Sequence, residues 1–224
     1  MTRTLLFDID GTLIDAGGSG RLAMNRALRV AFGIEPTMPI DFGGRTDRSL
    51  LSEMLEAHGI EVSEQTFDKI RMTFASSMPD ELHRATGRVL PGVENLLDAL
   101  AGRQGVRIWC MTGNLVETAQ SKLRHFGLLD YFDRIVGGDH DQDRCDLARR
   151  AQMDIEIEHG EAASENIVVI GDTVADVMCA RAIGARVIAC CTGCHSREEL
   201  EAVNPCAIVE DLSDTKSIID LLIG

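Results

Sequence analysis

Short apolar runs, several rich in β-branched residues, alternate with stretches of helical apolar spacing along most of the chain. The runs fall at 4–9, 106–111, 134–136, 166–170, 185–189 and 206–209, and several are bounded by Gly or Asp. Such runs predict strands buried on both faces. Between them, 92–101, 115–126, 143–157, 174–182 and 215–222 carry the spacing of amphipathic helices. Strand alternating with helix predicts an α/β fold with a doubly wound parallel sheet.

One region breaks the alternation. From 16 to 87 no strand pattern stands out, and helical spacing covers 21–32, 47–58 and 63–82. Gly33, Pro36, Pro39, Gly43, Gly44 and Gly59 separate these stretches. The pattern predicts a small helical domain, 16–87, inserted into a core made of 1–15 and 88–224. The chain re-enters that core at Val89-Leu90-Pro91-Gly92.

Composition narrows the function classes. Hydrophobic residues make up 45% and charged residues 26% of 224, which supports a packed core rather than disorder. The formal net charge of -14 opposes nucleic acid and anionic membrane surfaces as partners. No stretch approaches the roughly 20 apolar residues of a membrane span. The apolar run at Leu5-Leu6-Phe7 is too short for a signal peptide and acids follow at once, so a cytoplasmic location is expected. The seven cysteines are then expected as free thiols. Oligomeric state is left open.

Ligands of open parallel sheets bind beyond the carboxyl ends of the strands. Asp8-Ile9-Asp10-Gly11-Thr12 follows the first strand, and Thr112-Gly113-Asn114 the second. Gly137-Gly138-Asp139 follows the third, with Arg144 shortly after, and Gly171-Asp172-Thr173 the fourth, with Asp176 a turn later. Asp8, Asp10, Asp172 and Asp176 would repel one another unless a cation lay among them, and hard oxygen ligands suit Mg²⁺. Thr112, Gly113 and Asn114 open a helix, whose leading N–H groups suit an anion such as phosphate.

The string Phe7-Asp8-Ile9-Asp10-Gly11-Thr12-Leu13 resembles the first motif of the haloacid dehalogenase-like hydrolases. Thr112 resembles their second motif and Gly171-Asp172-Thr173-Val174-Ala175-Asp176 their fourth. The likeness spans the chain and is nearest to phosphoglycolate-phosphatase-like members, which 192–200 and 209–214 also resemble. It implies a Rossmann-like core, a helical cap inserted after the first motif, and hydrolysis of a small phosphorylated metabolite, with phosphoglycolate a candidate. It implies Asp8 as nucleophile, forming an aspartyl-phosphate, and Asp10 as acid/base. Mg²⁺ would be held by Asp8, Asp172 and the backbone carbonyl of Asp10, with Asp176 behind them. Thr112, Gly113 and Asn114 would hold the phosphoryl oxygens, and Arg45 of the cap would touch the leaving group.

The third motif departs from the family, which often has lysine, commonly followed by proline. Here the segment reads Gly138-Asp139-His140-Asp141-Gln142-Asp143-Arg144-Cys145, and Arg144 is the replacement cation. Lys122 is expected to lie too far along its helix to reach the phosphate. The acids Asp139, Asp141 and Asp143 read either as a solvated loop and helix start or as neighbours of the metal. Cys190, Cys191, Cys194 and His195 lack the second ligand pair of a structural zinc site. Two rivals remain. A phosphoglucomutase-like transferase would share Asp8 and Asp10, and a phosphoaccepting signalling domain would also set acids at strand ends, although it would be shorter and lack a helical insert.

Overall fold

The computed structural model describes residues 2–37 and 43–224. Pro39, named above as a breaker, lies outside them. The described strands are β1 (Arg3–Phe7), β2 (Ile14–Asp15), β3 (Arg88–Val89), β4 (Val106–Met111), β5 (Arg134–Val136), β6 (Ile167–Gly171), β7 (Arg186–Cys190) and β8 (Ala207–Val209). The α-helices are α1 (Ser19–Phe32), α2 (Asp47–Ala57), α3 (Glu64–Arg84), α4 (Val93–Leu100), α5 (Val116–His125), α6 (Arg144–His159), α7 (Val174–Ala182), α8 (Arg197–Ala202) and α9 (Thr215–Ile223).

Six strands form one sheet in the order β5-β4-β1-β6-β7-β8. Every neighbouring pair in it is parallel. Strand side chains alternate between faces, so each face needs its own cover. Leu5 and Phe7 pack with α4, α5 and α9 through Leu96, Leu100, Leu123, Ile218 and Leu222. Leu6, Trp109 and Met111 pack on the other face with α6, α7 and α8 through Leu147, Ile155, Val177 and Leu200. The sheet is therefore doubly wound. β1 lies between β4 and β6, where the order of connections reverses, and a crevice opens beyond its carboxyl end.

The helices between β2 and β3 have a cluster of their own. Met24 and Leu28 of α1, Leu51 and Met54 of α2, and Phe67, Ile70, Phe74 and Met78 of α3 are buried together. Leu115, just ahead of α5, is buried in the same cluster. The chain enters and leaves these helices through a two-stranded antiparallel ribbon that pairs Ile14 with Val89 and Asp15 with Arg88. Strands of two residues carry too little pattern to be read from sequence, and this ribbon was not expected. Among the described residues, no helix is long and apolar enough to cross a membrane.

Candidate active site

Asp8 directly follows β1, and its N–H donates to the Ile170 carbonyl of β6 at 2.9 Å. Asp172 directly follows β6. Asp176 lies in the first turn of α7, where its Oδ2 accepts from the Thr173 hydroxyl at 2.6 Å in a reciprocal capping box. One carboxylate oxygen from each of Asp8, Asp172 and Asp176 lies within 4.8 Å of the other two. All three residues are buried. Burial pushes the Asp8 carboxyl up to about 7; Arg144 opposes the rise, while Asp176 and Asp10 add to it. Burial also raises Asp172 well above the usual carboxylate range, helped by Asp176 and Asp8 and opposed by the Thr12 hydroxyl bonded to it at 3.0 Å.

The Arg144 guanidinium enters this group from the first position of α6. Nη1 and Nη2 each lie 3.3 Å from Asp8 Oδ1, and Nη2 also pairs with Asp176. Its burial would lower the guanidinium pKa, but Asp176 and Asp8 together outweigh this and raise it. The buried Nε has no hydrogen-bond partner among the described residues. One guanidinium faces three carboxylates, so an excess of negative potential remains for a cation.

A second polar set stands beside the first. Asp10 Oδ2 accepts from Lys122 Nζ at 2.6 Å and from Asn114 Nδ2 at 2.8 Å. Asn114 Oδ1 accepts from the same ammonium at 2.7 Å, and Asn114 Nδ2 also donates to Thr112 Oγ1 at 2.7 Å. The Asp10 side chain is 40% exposed, whereas that of Lys122 is 4% exposed. The acid of this set faces solvent from a rigid backing.

Apart from Asp176, both sets line one cavity of about 690 Å³, with Gly113, Arg45, Asp47 and Gly193 also in its wall. Two glycines permit close approach there. A Cβ on Gly193 would overlap the Asp172 carboxylate, and one on Gly113 would overlap the Arg45 carbonyl. The second contact brings the segment ahead of α2 against the loop after β4. Arg45 itself pairs with Glu53 at 2.5 Å.

A family model described as haloacid dehalogenase-like hydrolase matches residues 5–190. The chain belongs to the haloacid dehalogenase-like hydrolases. It is 30% identical to a phosphoglycolate phosphatase of Cereibacter sphaeroides, over 81% of this chain and 82% of that protein. It is 28% identical to a 5'-nucleotidase of Pseudomonas aeruginosa, over 96% and 95%. The crystal structure of CbbY from Rhodobacter sphaeroides in complex with phosphate shares its fold, with a TM-score of 0.71, 20% identity and 96% of each chain covered. The chain is accordingly an enzyme, a phosphatase of this hydrolase family.

Within this hydrolase, Asp8, Asp10, Thr112, Gly113, Asn114, Arg144, Asp172 and Arg45 all line the one cavity. Asp176 sits beneath it, fully buried. The Asn114 N–H, expected to face a phosphoryl oxygen, donates to Thr112 Oγ1 at 3.3 Å. The acidic run before α6 is tied into the framework. Asp139 accepts from Val116 N–H at 3.0 Å, Asp141 pairs with Arg150, and Asp143 caps α6.

The expectation that Lys122 lies too far away is corrected. Helical side chains lean toward the N-terminus, so a lysine two turns into α5 reaches back toward the loop after β4. Asp47 was also missed, since an acid at the start of α2 reads as an ordinary dipole partner.

Proposed function

We propose that this hydrolase is a Mg²⁺-dependent phosphatase acting on a small phosphate monoester through an aspartyl-phosphate on Asp8. The observation that carries this reading is the meeting of two sets in one cavity. A buried nucleophile candidate sits with carboxylates and a guanidinium, and a separate carboxylate is held by an ammonium and an amide. The donor set fits a hard divalent cation: three buried carboxylates, two of them pushed upward by burial and mutual repulsion, against one guanidinium. Asp8 and Asp172 would hold the ion, with the Asp10 carbonyl, and Asp176 would stand behind them. When bound, Mg²⁺ supplies positive charge that draws in the phosphate and stabilises the transferring group.

Asp8 Oδ attacks phosphorus and the ester oxygen departs. Asp10 gives that oxygen a proton and then takes one from the water that cleaves the acyl-phosphate. Lys122 and Asn114 hold the Asp10 carboxylate in place during both transfers. Arg144, whose side chain lines the cavity beside Asp8, binds phosphoryl oxygens. The Thr112 hydroxyl and the Gly113 N–H hold the rest of the phosphoryl group, and Asn114 braces Thr112 and Asp10 beside it.

In the same reading, 16–87 is a cap over a core of 1–15 and 88–224. The separate apolar cluster of α1, α2 and α3 and the ribbon at their base support it. Arg45, in the cavity wall beside the core, is positioned to contact the leaving group. The cavity volume suits a small metabolite, and phosphoglycolate is one candidate. A cytoplasmic compartment, where thiols stay reduced, belongs to the same reading.

The test is phosphate release by the purified protein from a panel of phosphorylated metabolites, with Mg²⁺ and with excess chelator. Release that needs Mg²⁺ is expected. Isomerisation of a sugar phosphate without net release would replace the phosphatase with a mutase, and full activity in chelator would remove the metal from the account.

A further inference from the structure

Helix α5 starts without a local cap. Leu115 stands at its N-cap position, and leucine has no side-chain acceptor for the leading N–H groups. One acceptor comes from α2, and Asp139, ahead of α6, supplies another to the Val116 N–H. Asp47 Oδ2 accepts from the Leu115 N–H at 2.8 Å and from the Thr118 hydroxyl at 3.1 Å. In return the Asp47 N–H donates to the Gly113 carbonyl at 2.7 Å. Asp47 thus grips both sides of the turn that carries Asn114.

Other contacts follow the same seam. The Leu115 side chain is buried among the apolar residues of α1, α2 and α3 rather than in the core beneath the sheet. Arg48 Nη1 donates to the Asp139 carbonyl at 3.1 Å, and Asp139 in turn accepts from the Val116 N–H. Helix α2 itself is capped by Thr46, whose hydroxyl accepts from Ser49 N–H. Asp47 is 7% exposed. Burial pushes it up to about 6, partly offset by the nearby Lys122 charge and the Leu115 and Thr118 bonds, with Asp10 acting the other way. A buried carboxylate aimed at two donors of another segment is costly to desolvate and is justified by what it holds.

We infer that Asp47 is a positioning residue that supplies, from the helical insert, the N-cap that α5 lacks, so that docking of the insert orders the Thr112-Gly113-Asn114 turn. This rests on the proposed reading of that turn as the phosphate cradle. When the insert is docked, the turn is held from both sides. When it moves away, the Leu115 N–H loses its acceptor, the Thr118 hydroxyl keeps only the Leu115 carbonyl at 3.0 Å, and the turn loosens. Substrate that draws the insert down thereby completes the cradle that binds it.

The test compares Asp47→Ala, Asp47→Asn and Thr118→Val with wild type, as full chains in Mg²⁺ without substrate. Amide hydrogen exchange at Leu115 reports the cap directly. Loss of a helix cap should raise it by roughly 3- to 30-fold in Asp47→Ala. Asp47→Asn should give a smaller rise, and amides of β1 should be unchanged. On whichever ester wild type hydrolyses, KM should rise in the same order, with kcat less affected, and Thr118→Val should follow with a smaller effect. Unchanged exchange at Leu115 in Asp47→Ala would overturn the inference. A rise shared equally by β1 would overturn it too, because it would mark general destabilisation. If wild type released phosphate from no ester, the phosphatase reading would fall while the exchange result still decided the cap.

Discussion

Lys122 Nζ lies 2.6 Å from Asp10 Oδ2, although the two residues are 112 positions apart. The ammonium is buried and the carboxylate reaches the cavity, so the pair is a fixed support for a group that moves protons. A hydrogen bond to a charged group contributes about 1.5–3 kcal/mol. Lys122→Met should therefore slow turnover roughly 10- to 150-fold while the fold persists. Lys122→Arg should recover part of the loss. Steady-state kinetics on both variants checks this, and a wild-type rate for Lys122→Met would show that Asp10 needs no such support.

Asp10→Asn should cost roughly 10²–10⁴-fold in rate, the usual contribution of a general acid or base. The loss should shrink for esters with good leaving groups, which need less protonation. A series of aryl phosphates of graded leaving-group acidity measures this. An equal loss across the series would point to a different role for Asp10.

Arg144 and Arg149 lie on the same helix but face different surroundings. Arg144 contacts Asp8 and Asp176, whereas Arg149 pairs with Asp146 on the surface. Arg144→Ala should lose activity severely and Arg149→Ala should not. Arg144→Lys should keep part of it, because the charge remains while the fork geometry is lost. Near-wild-type activity of Arg144→Ala would move the phosphate-binding role to Lys122 or Arg45.

The buried carboxylates make metal-free stability depend on pH. Asp8 is held at about 7 in the folded protein, above its ordinary unfolded value near 3.8. The protonated form is therefore favoured on folding. That stabilisation is full below the unfolded pKa and fades as pH rises through about 7. The metal-free melting temperature should fall between about pH 4 and 7, and the increase on adding Mg²⁺ should grow over the same interval. Thermal melts with and without Mg²⁺ at both ends of the range test this. A Mg²⁺ increment independent of pH would contradict it.

The parts legible in the sequence were those with local pattern. β1, β4 and β6 are built on short apolar runs, and Asp8 and Asp172 follow β1 and β6 where open sheets bind ligands. Residues acting across long separations were not legible. Lys122 meets Asp10 only because α5 runs back along the sheet. Asp47 caps a helix that starts 68 residues later, where Leu115 gives no local sign of needing a partner. The ribbon of β2 and β3 was invisible for the opposite reason, since two residues per strand carry no period.

If Asp8 is the nucleophile, the phosphoryl group can be captured on it. Turnover of an accepted phosphate ester in Mg²⁺ is stopped by acid within the first cycle, and the protein is digested and analysed by mass spectrometry. A phosphoryl increment is expected on the peptide containing Asp8, placed on Asp8 by fragmentation, and none on Asp8→Asn, which should also fail to turn over. Phosphate release by Asp8→Asn at a rate comparable to wild type, or an increment on another residue, would contradict Asp8 as the nucleophile.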